Sequence, residues 1–210
     1  MNDSMTDKPS NEPARVWAVV PAAGQGKRIG GPKALLPFGA STMVQTVVAT
    51  LRDGGVDGIV VVANPDIAEA VTTLLGDAAG LAINHRPDSE MIESIQTGLA
   101  ELAEAAVPRA GDGCLVLPVD QPTVAAAAVR CGVDAFRASP ERIVIASRHG
   151  RRGHPIIFPW SLADEVRGYP PSMGLNQLPR THAERVLPVE CADGVVFDVD
   201  TPEDYDRARS

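Results

Sequence analysis

Short runs of β-branched apolar residues alternate along this chain with segments of helical periodicity. Strands are expected at Val16–Pro21, Gly58–Ala63, Leu81–Asn84, Cys114–Val119, Ile143–Ser147 and Val195–Val199. Helices are expected at Thr42–Arg52, Ile67–Leu75, Ser89–Ala105, Val124–Ala138 and Pro202–Ala208. A run such as Ile59-Val60-Val61-Val62 is apolar toward both faces, which suits a strand covered above and below. Strands of that kind alternating with helices imply a mostly parallel, three-layer α/β arrangement. Ligands in such sheets gather beyond the carboxyl ends of the strands. Gly24, Asn64, Asn84 and Asp120 all fall at or just after such an end, so they are expected to converge on one rim. The stretch from His149 to Pro188 is Pro-rich and less regular, and reads as a substrate-facing excursion from the sheet. One domain is expected over 15–210, preceded by a polar, disordered tail over 1–14.

The first strand runs straight into Ala22-Ala23-Gly24-Gln25-Gly26-Lys27-Arg28-Ile29-Gly30-Gly31-Pro32-Lys33. Glycines let backbone N–H groups approach a phosphate chain, and the three cations neutralise its charge. The dinucleotide fingerprint does not fit, because Ile29 stands where its third glycine belongs. Pro32 and Pro37 also prevent a helix from continuing out of Gly26. No Gly-Lys-Ser/Thr triplet exists, so the Walker loop is excluded too. A dinucleotide-dependent oxidoreductase is therefore disfavoured by spacing, and a polyphosphate lying along an irregular cationic loop is favoured.

Bulk properties sharpen that picture. The 210 residues carry a net charge of −8, which argues against nucleic acid and anionic membranes as partners and makes the local cluster of cations more telling. Three cysteines without Cys-x-x-Cys spacing offer neither a metal set nor a disulfide framework. With no secretory signal and no membrane-length apolar run, a cytoplasmic protein is expected.

Two acidic sites stand out. Asp120 leaves a buried strand, where it can hold Mg²⁺ or cap the helix expected at Val124. Asp198 and Asp200 flank Val199, and a strand there would place both carboxylates on one face. Thr201-Pro202-Glu203-Asp204 has the composition of a capped helix start, which accounts for its acids without a site. Gly150-Arg151-Arg152-Gly153-His154-Pro155 has the composition of an anion-binding turn, with an exposed basic loop as the alternative.

The pattern Ala22-Ala23-Gly24-x-Gly26-x-Arg28-Ile29-Gly30-x-x-Lys33-x-Leu35-Leu36-Pro37 resembles the opening of the nucleotidyltransferases. The likeness continues in 84–99, in Leu117-Pro118-Val119-Asp120-Gln121-Pro122, in 150–155 and in 198–204, all in the family order. It is similar above all to the molybdenum cofactor cytidylyltransferase-like, MobA-like NTP transferase family, with methylerythritol-phosphate cytidylyltransferases as relatives. The resemblance implies a three-layer Rossmann-like fold of the nucleotide-diphospho-sugar transferase type. It implies a Mg²⁺-dependent enzyme with CTP along Ala22, Ala23, Gly24, Gln25, Gly26 and Lys33, its base near Asn84 and Ser94, and Met91 in the same block. Lys33, Arg28 and Asp120 would be catalytic, and Asp198 or Asp200 would complete the metal sphere of Asp120. His154 and Arg152 would face a phosphorylated acceptor, molybdopterin, with a molybdoenzyme as recipient of the product. Asn84 and Ser94 can equally be a strand-end turn residue and a solvent-facing helix position. His85 and Glu90 replace residues the family commonly carries, and 173–178 departs from its acidic-glycine stretch. Guanylyl transfer, a sugar- or polyol-phosphate acceptor, and a nucleotide-binding module without turnover therefore stay open. Cytosine over guanine rests on Ala23, where guanylyl enzymes typically carry glycine.

Overall fold

The structure, a computed structural model, describes residues 12–86, 88–191 and 197–209. Nine strands appear among them: β1 (Val16–Pro21), β2 (Pro37–Phe38), β3 (Ser41–Thr42), β4 (Gly58–Ala63), β5 (Gly80–Ile83), β6 (Gly113–Val116), β7 (Ile143–Arg148), β8 (Arg151–Pro159) and β9 (Val186–Glu190). The α-helices are α1 (Met43–Asp53), α2 (Ala68–Leu75), α3 (Met91–Ala105), α4 (Ala126–Ala138), α5 (Ala163–Arg167), α6 (Leu178–Thr181) and α7 (Pro202–Ala208). β2 and β3 form a small hairpin. The other seven strands make one sheet in the order β5-β4-β1-β6-β8-β7-β9, in which β8 alone runs antiparallel to its neighbours.

Each face of this sheet is sealed by helices, as the two-sided apolar strands require. Val16, Ala18 and Val20 of β1 pack with Val44, Val47 and Leu51 of α1, Val71 of α2 and Val129 of α4. On the opposite face Val19, Val116 and Phe158 pack with Ile92, Ile95 and Leu99 of α3 and Val166 of α5. The alternation along β1 thus feeds two separate cores. Gly98 lets α3 lie close against the sheet, since a Cβ there would come within 2.5 Å of Val19 Cγ1 and 3.1 Å of Val62 Cγ2. At the amino-terminal edge, the fully buried Asp112 ties β1 to β6. Its carboxylate accepts from the Arg15 amide at 3.0 Å, the Arg109 amide at 2.9 Å and both guanidinium groups.

Three expectations need correction or limits. The stretch from His149 to Pro188 is no excursion, because it contributes β8 to the interior of the sheet and β9 to its edge. The strand expected at Val195–Val199 lies outside the described residues at 195 and 196, and 197–199 form no ladder. The tail expected over 1–14 lies outside them as far as residue 11; beyond it Glu12 pairs with Arg109.

Candidate active site

At the carboxyl edge of β1 the chain enters the glycine loop, anchored by the Ala22 amide on the Val62 carbonyl at 2.8 Å and by Asn64, whose amide donates to the Ala23 carbonyl at 2.9 Å. The loop closes on itself at Gly26, whose carbonyl accepts from the amides of Ile29 at 3.0 Å and Gly31 at 3.2 Å. Gly26 has φ +60° and a Cβ there would stand 1.7 Å from the Gly31 carbonyl oxygen, so only glycine fits. Pro32 then starts a single 3₁₀ turn whose first residue is Lys33.

Two other segments meet Lys33. After β6, the amides of Leu117 and Val119 still bond to the carbonyls of Val19 and Pro21, which carries the chain beyond the ladder to Asp120. The Asp120 carbonyl in turn accepts from the Val199 amide at 2.8 Å, laying the late acidic segment alongside. Val199 is buried between Asp198 and Asp200, and both acids line the same cleft. The alternation expected of a strand is therefore kept without a ladder. Asp120 caps no helix: α4 starts later, behind Ala125, which makes no side-chain cap.

The Lys33 ammonium sits 3.1 Å from Asp120 Oδ2 and 2.6 Å from Asp200 Oδ1, and Arg28 Nη2 lies 3.7 Å from Asp200. Burial alone would depress the Lys33 pKa, but the two carboxylates outweigh it and hold it above its ordinary value. Burial raises the Asp120 pKa, and repulsion from Asp198 and Asp200 adds to this against the pull of Lys33.

Among the described residues no three His, Cys, Asp or Glu side chains group tightly enough to enclose a metal alone. The donor set nevertheless fits Mg²⁺, which takes one or two carboxylates and fills its sphere with water and substrate phosphate oxygens. Asp120 with Asp198 or Asp200 offers that half-set of hard oxygens.

The cleft in front of these groups has a volume of about 570 Å³ and runs from Ala23 and the loop cations to His154. A recess of about 140 Å³ opens from it between Ala22, Met91 and Ser94. Met91 is half-exposed there. Ser94 is buried, not solvent-facing, and its hydroxyl accepts from the Asn84 amide at 3.1 Å. Asn84 stands behind the cleft wall: it also donates to the Ser89 hydroxyl at 2.8 Å and accepts from the Arg86 amide at 3.0 Å as a turn residue would. Glu90, a departure from the family pattern, precedes α3 and donates its amide to Glu93 at 3.0 Å.

Sequence reasoning passed over Gln121. It is buried, donates to the Asp198 carboxylate, and has no partner for its own carbonyl oxygen among the described residues. The only signal was its place directly after Asp120. His154 stands beside it because β8 bulges: Ile145 pairs with Ile156 but Ser147 pairs with Arg152, so Gly153, His154 and Pro155 arch out of the ladder. His154 Nδ1 lies 3.3 Å from the Val116 carbonyl, and burial keeps its pKa below the ordinary histidine range. His149, the other histidine of this stretch, forms the β7–β8 turn with Gly150, both at positive φ.

No helix among the described residues is long and apolar enough to cross a membrane. Residues 18–186 match the family model for the MobA-like NTP transferase domain. The chain is 31% identical over 205 residues to a nicotine blue oxidoreductase of Paenarthrobacter nicotinovorans, covering 91% of this chain and 95% of that one. It is 39% identical over 94 residues to a 2-C-methyl-D-erythritol 4-phosphate cytidylyltransferase of Rhodococcus jostii, covering 43% of this chain and 40% of that one. The crystal structure of Rv0371c from Mycobacterium tuberculosis H37Rv superposes with a TM-score of 0.78 at 25% identity, over 94% of this chain and 98% of that one.

Proposed function

The chain belongs to the MobA-like NTP transferase family, and on that footing we propose that it is a Mg²⁺-dependent cytidylyltransferase moving CMP from CTP to a phosphorylated acceptor, molybdopterin, with release of pyrophosphate. The observation that carries this reading is the Lys33 ammonium held between Asp120 and Asp200 at the foot of the glycine loop. Transfer between two anions needs charge neutralisation and alignment at one point, and this cluster brings both signs of charge to the cleft.

In this reading the triphosphate lies along Ala22 to Lys33, with Lys33 and Arg28 on the α- and leaving phosphates. The base occupies the recess beside Met91 and Ser94, and Asn84 fixes the Ser94 hydroxyl from behind. A bound divalent cation, held by Asp120 with Asp198 or Asp200, supplies charge compensation at the α-phosphate. An oxygen of the acceptor phosphate attacks the α-phosphorus in line; that P–O bond forms as the bond to the β-bridging oxygen breaks, and the electron pair leaves with pyrophosphate. A phosphate nucleophile is already ionised, so no general base is required. Neutral His154 and Arg152 orient the acceptor. Cytosine is supported by the cytidylyltransferase name of the Rhodococcus relative and by Ala23, whose methyl group narrows the approach to the loop.

Pyrophosphate release tests the proposal. Purified protein with Mg²⁺ is given CTP, GTP, ATP or UTP, each with molybdopterin and with a polyol phosphate. Release with CTP and molybdopterin is expected. Tight CTP binding without release for any acceptor would identify a nucleotide-binding module instead.

A second reading is favoured by one finding: the nicotine blue oxidoreductase relative aligns over nearly the whole of both chains. On that reading the cleft holds a dye and its reductant instead of a triphosphate. Reduction of a blue dye with NADH or NADPH as the hydride donor, followed by loss of the reduced dinucleotide's absorbance, would select it over nucleotidyl transfer.

A further inference from the structure

A second cavity, of about 450 Å³, adjoins the first and shares only Gln121, His154 and Asp198 with it. Three arginines line this second cavity and none of them lines the first: Arg151 and Arg152 from the start of β8, and Arg180 from α6. They come from segments far apart in sequence, and none makes a hydrogen bond or ion pair with the described residues. Their carboxylate counterpart in the cavity lining is Asp198, which lies at the shared wall and is engaged by Gln121. Three cations against one carboxylate give this cavity a positive balance in a chain whose net charge is −8.

The position of these arginines, more than their number, sets them apart from a reacting phosphate. If nucleotidyl transfer is the activity, the acceptor's nucleophilic phosphate must sit at the shared wall, beside His154 and within reach of the first cavity. The arginines lie on the other side of that wall. Guanidinium groups are suited to planar, multidentate recognition of oxyanions. We infer that the second cavity binds an acceptor carrying a second anionic group besides its reacting phosphate, and that Arg151 and Arg180 hold that distal group. This rests on the transferase reading for the word acceptor; the anion site itself stands on the arginines alone. Its consequence is discrimination: a monophosphate with an uncharged far end would enter the cavity but leave the arginines unused.

Calorimetry on the full chain tests this, with propyl phosphate and propane-1,3-diyl bisphosphate as probes and the first cavity saturated with α,β-methylene-CTP. The bisphosphate is expected to bind at least about tenfold tighter than the monophosphate. An Arg151→Ala, Arg180→Ala double variant should lose that preference while binding the CTP analogue within about twofold of wild type. Both arginines are exposed, so the variant keeps the core intact. Equal affinity for the two probes, or a preference that survives in the double variant, overturns the inference. Failure of every nucleotide to bind would instead overturn the proposed function. The bisphosphate titration would then be run without nucleotide, and the same comparison of wild type and double variant would still decide for or against the arginine site.

Discussion

Lys33 carries the most concentrated chemistry in the molecule, since one ammonium group serves two carboxylates and stands at the end of a phosphate-sized loop. Lys33→Ala and Asp120→Ala are each expected to lower turnover by roughly 10²–10³, about 2.7–4 kcal/mol, the usual loss of one preorganised charge stabiliser. Initial rates of pyrophosphate release check this, and wild-type rates in both would remove the pair from the site. The residue types were readable before any coordinates: glycines, cations and an aspartate at a strand end. The pairing was not, because Lys33 meets Asp200 across 167 positions of chain. Gln121 stayed invisible for a related reason. An amide announces no chemistry until its partner is known, and its partner is Asp198.

Among the elements, β1 and β4 match their expected limits, because each is a short, valine-rich apolar run of the length a buried strand takes. β8 was missed. Its opening, Arg151-Arg152-Gly153-His154-Pro155, reads as a turn, and the bulge that tolerates it cannot be seen in a one-dimensional pattern. β9 is a short edge strand interrupted by Pro188, with the weak alternation such strands show. The fit of α3 on the sheet gives a prediction at this scale. Alanine at position 98 would favour the helix by about 1 kcal/mol. However, its methyl would meet two stiff, buried valines, which costs about 1–3 kcal/mol. Gly98→Ala should therefore be neutral to destabilising, with Ser94 displaced. Urea unfolding measures the first effect and weakened nucleotide binding the second; a clear gain in stability would contradict this packing.

For the molecule as a whole, acid stability should be set in part by the Asp112 staple between β1 and β6. Burial opposes its charge, but the amides and guanidinium groups of Arg15 and Arg109 win and hold its pKa at about 2, below the ordinary 3.8. A depressed carboxylate pKa stabilises the fold fully above the unfolded value, and that gain is lost as pH falls from about 4 toward about 2. The shift corresponds to about 2 kcal/mol. Asp112→Asn should lower the urea midpoint at neutral pH, with the gap to wild type closing below about pH 4; a constant gap would deny the ion pairs their role. Ligand linkage gives a second global readout. CTP with Mg²⁺ at a hundred times its dissociation constant should add about 2.7 kcal/mol. A chelator should remove most of it, visible as a fall in Tm.

The reversed direction of β8 within an otherwise parallel sheet has a consequence for how such a protein diversifies. An antiparallel strand brings its beginning, not its end, to the rim where the other strands finish. The first cavity is walled mainly by the front portion of the polypeptide and the second mainly by the rear portion. On the proposed function, substitutions in the rear portion other than at Asp198 and Asp200 would retarget the partner molecule and leave the glycine loop as it is.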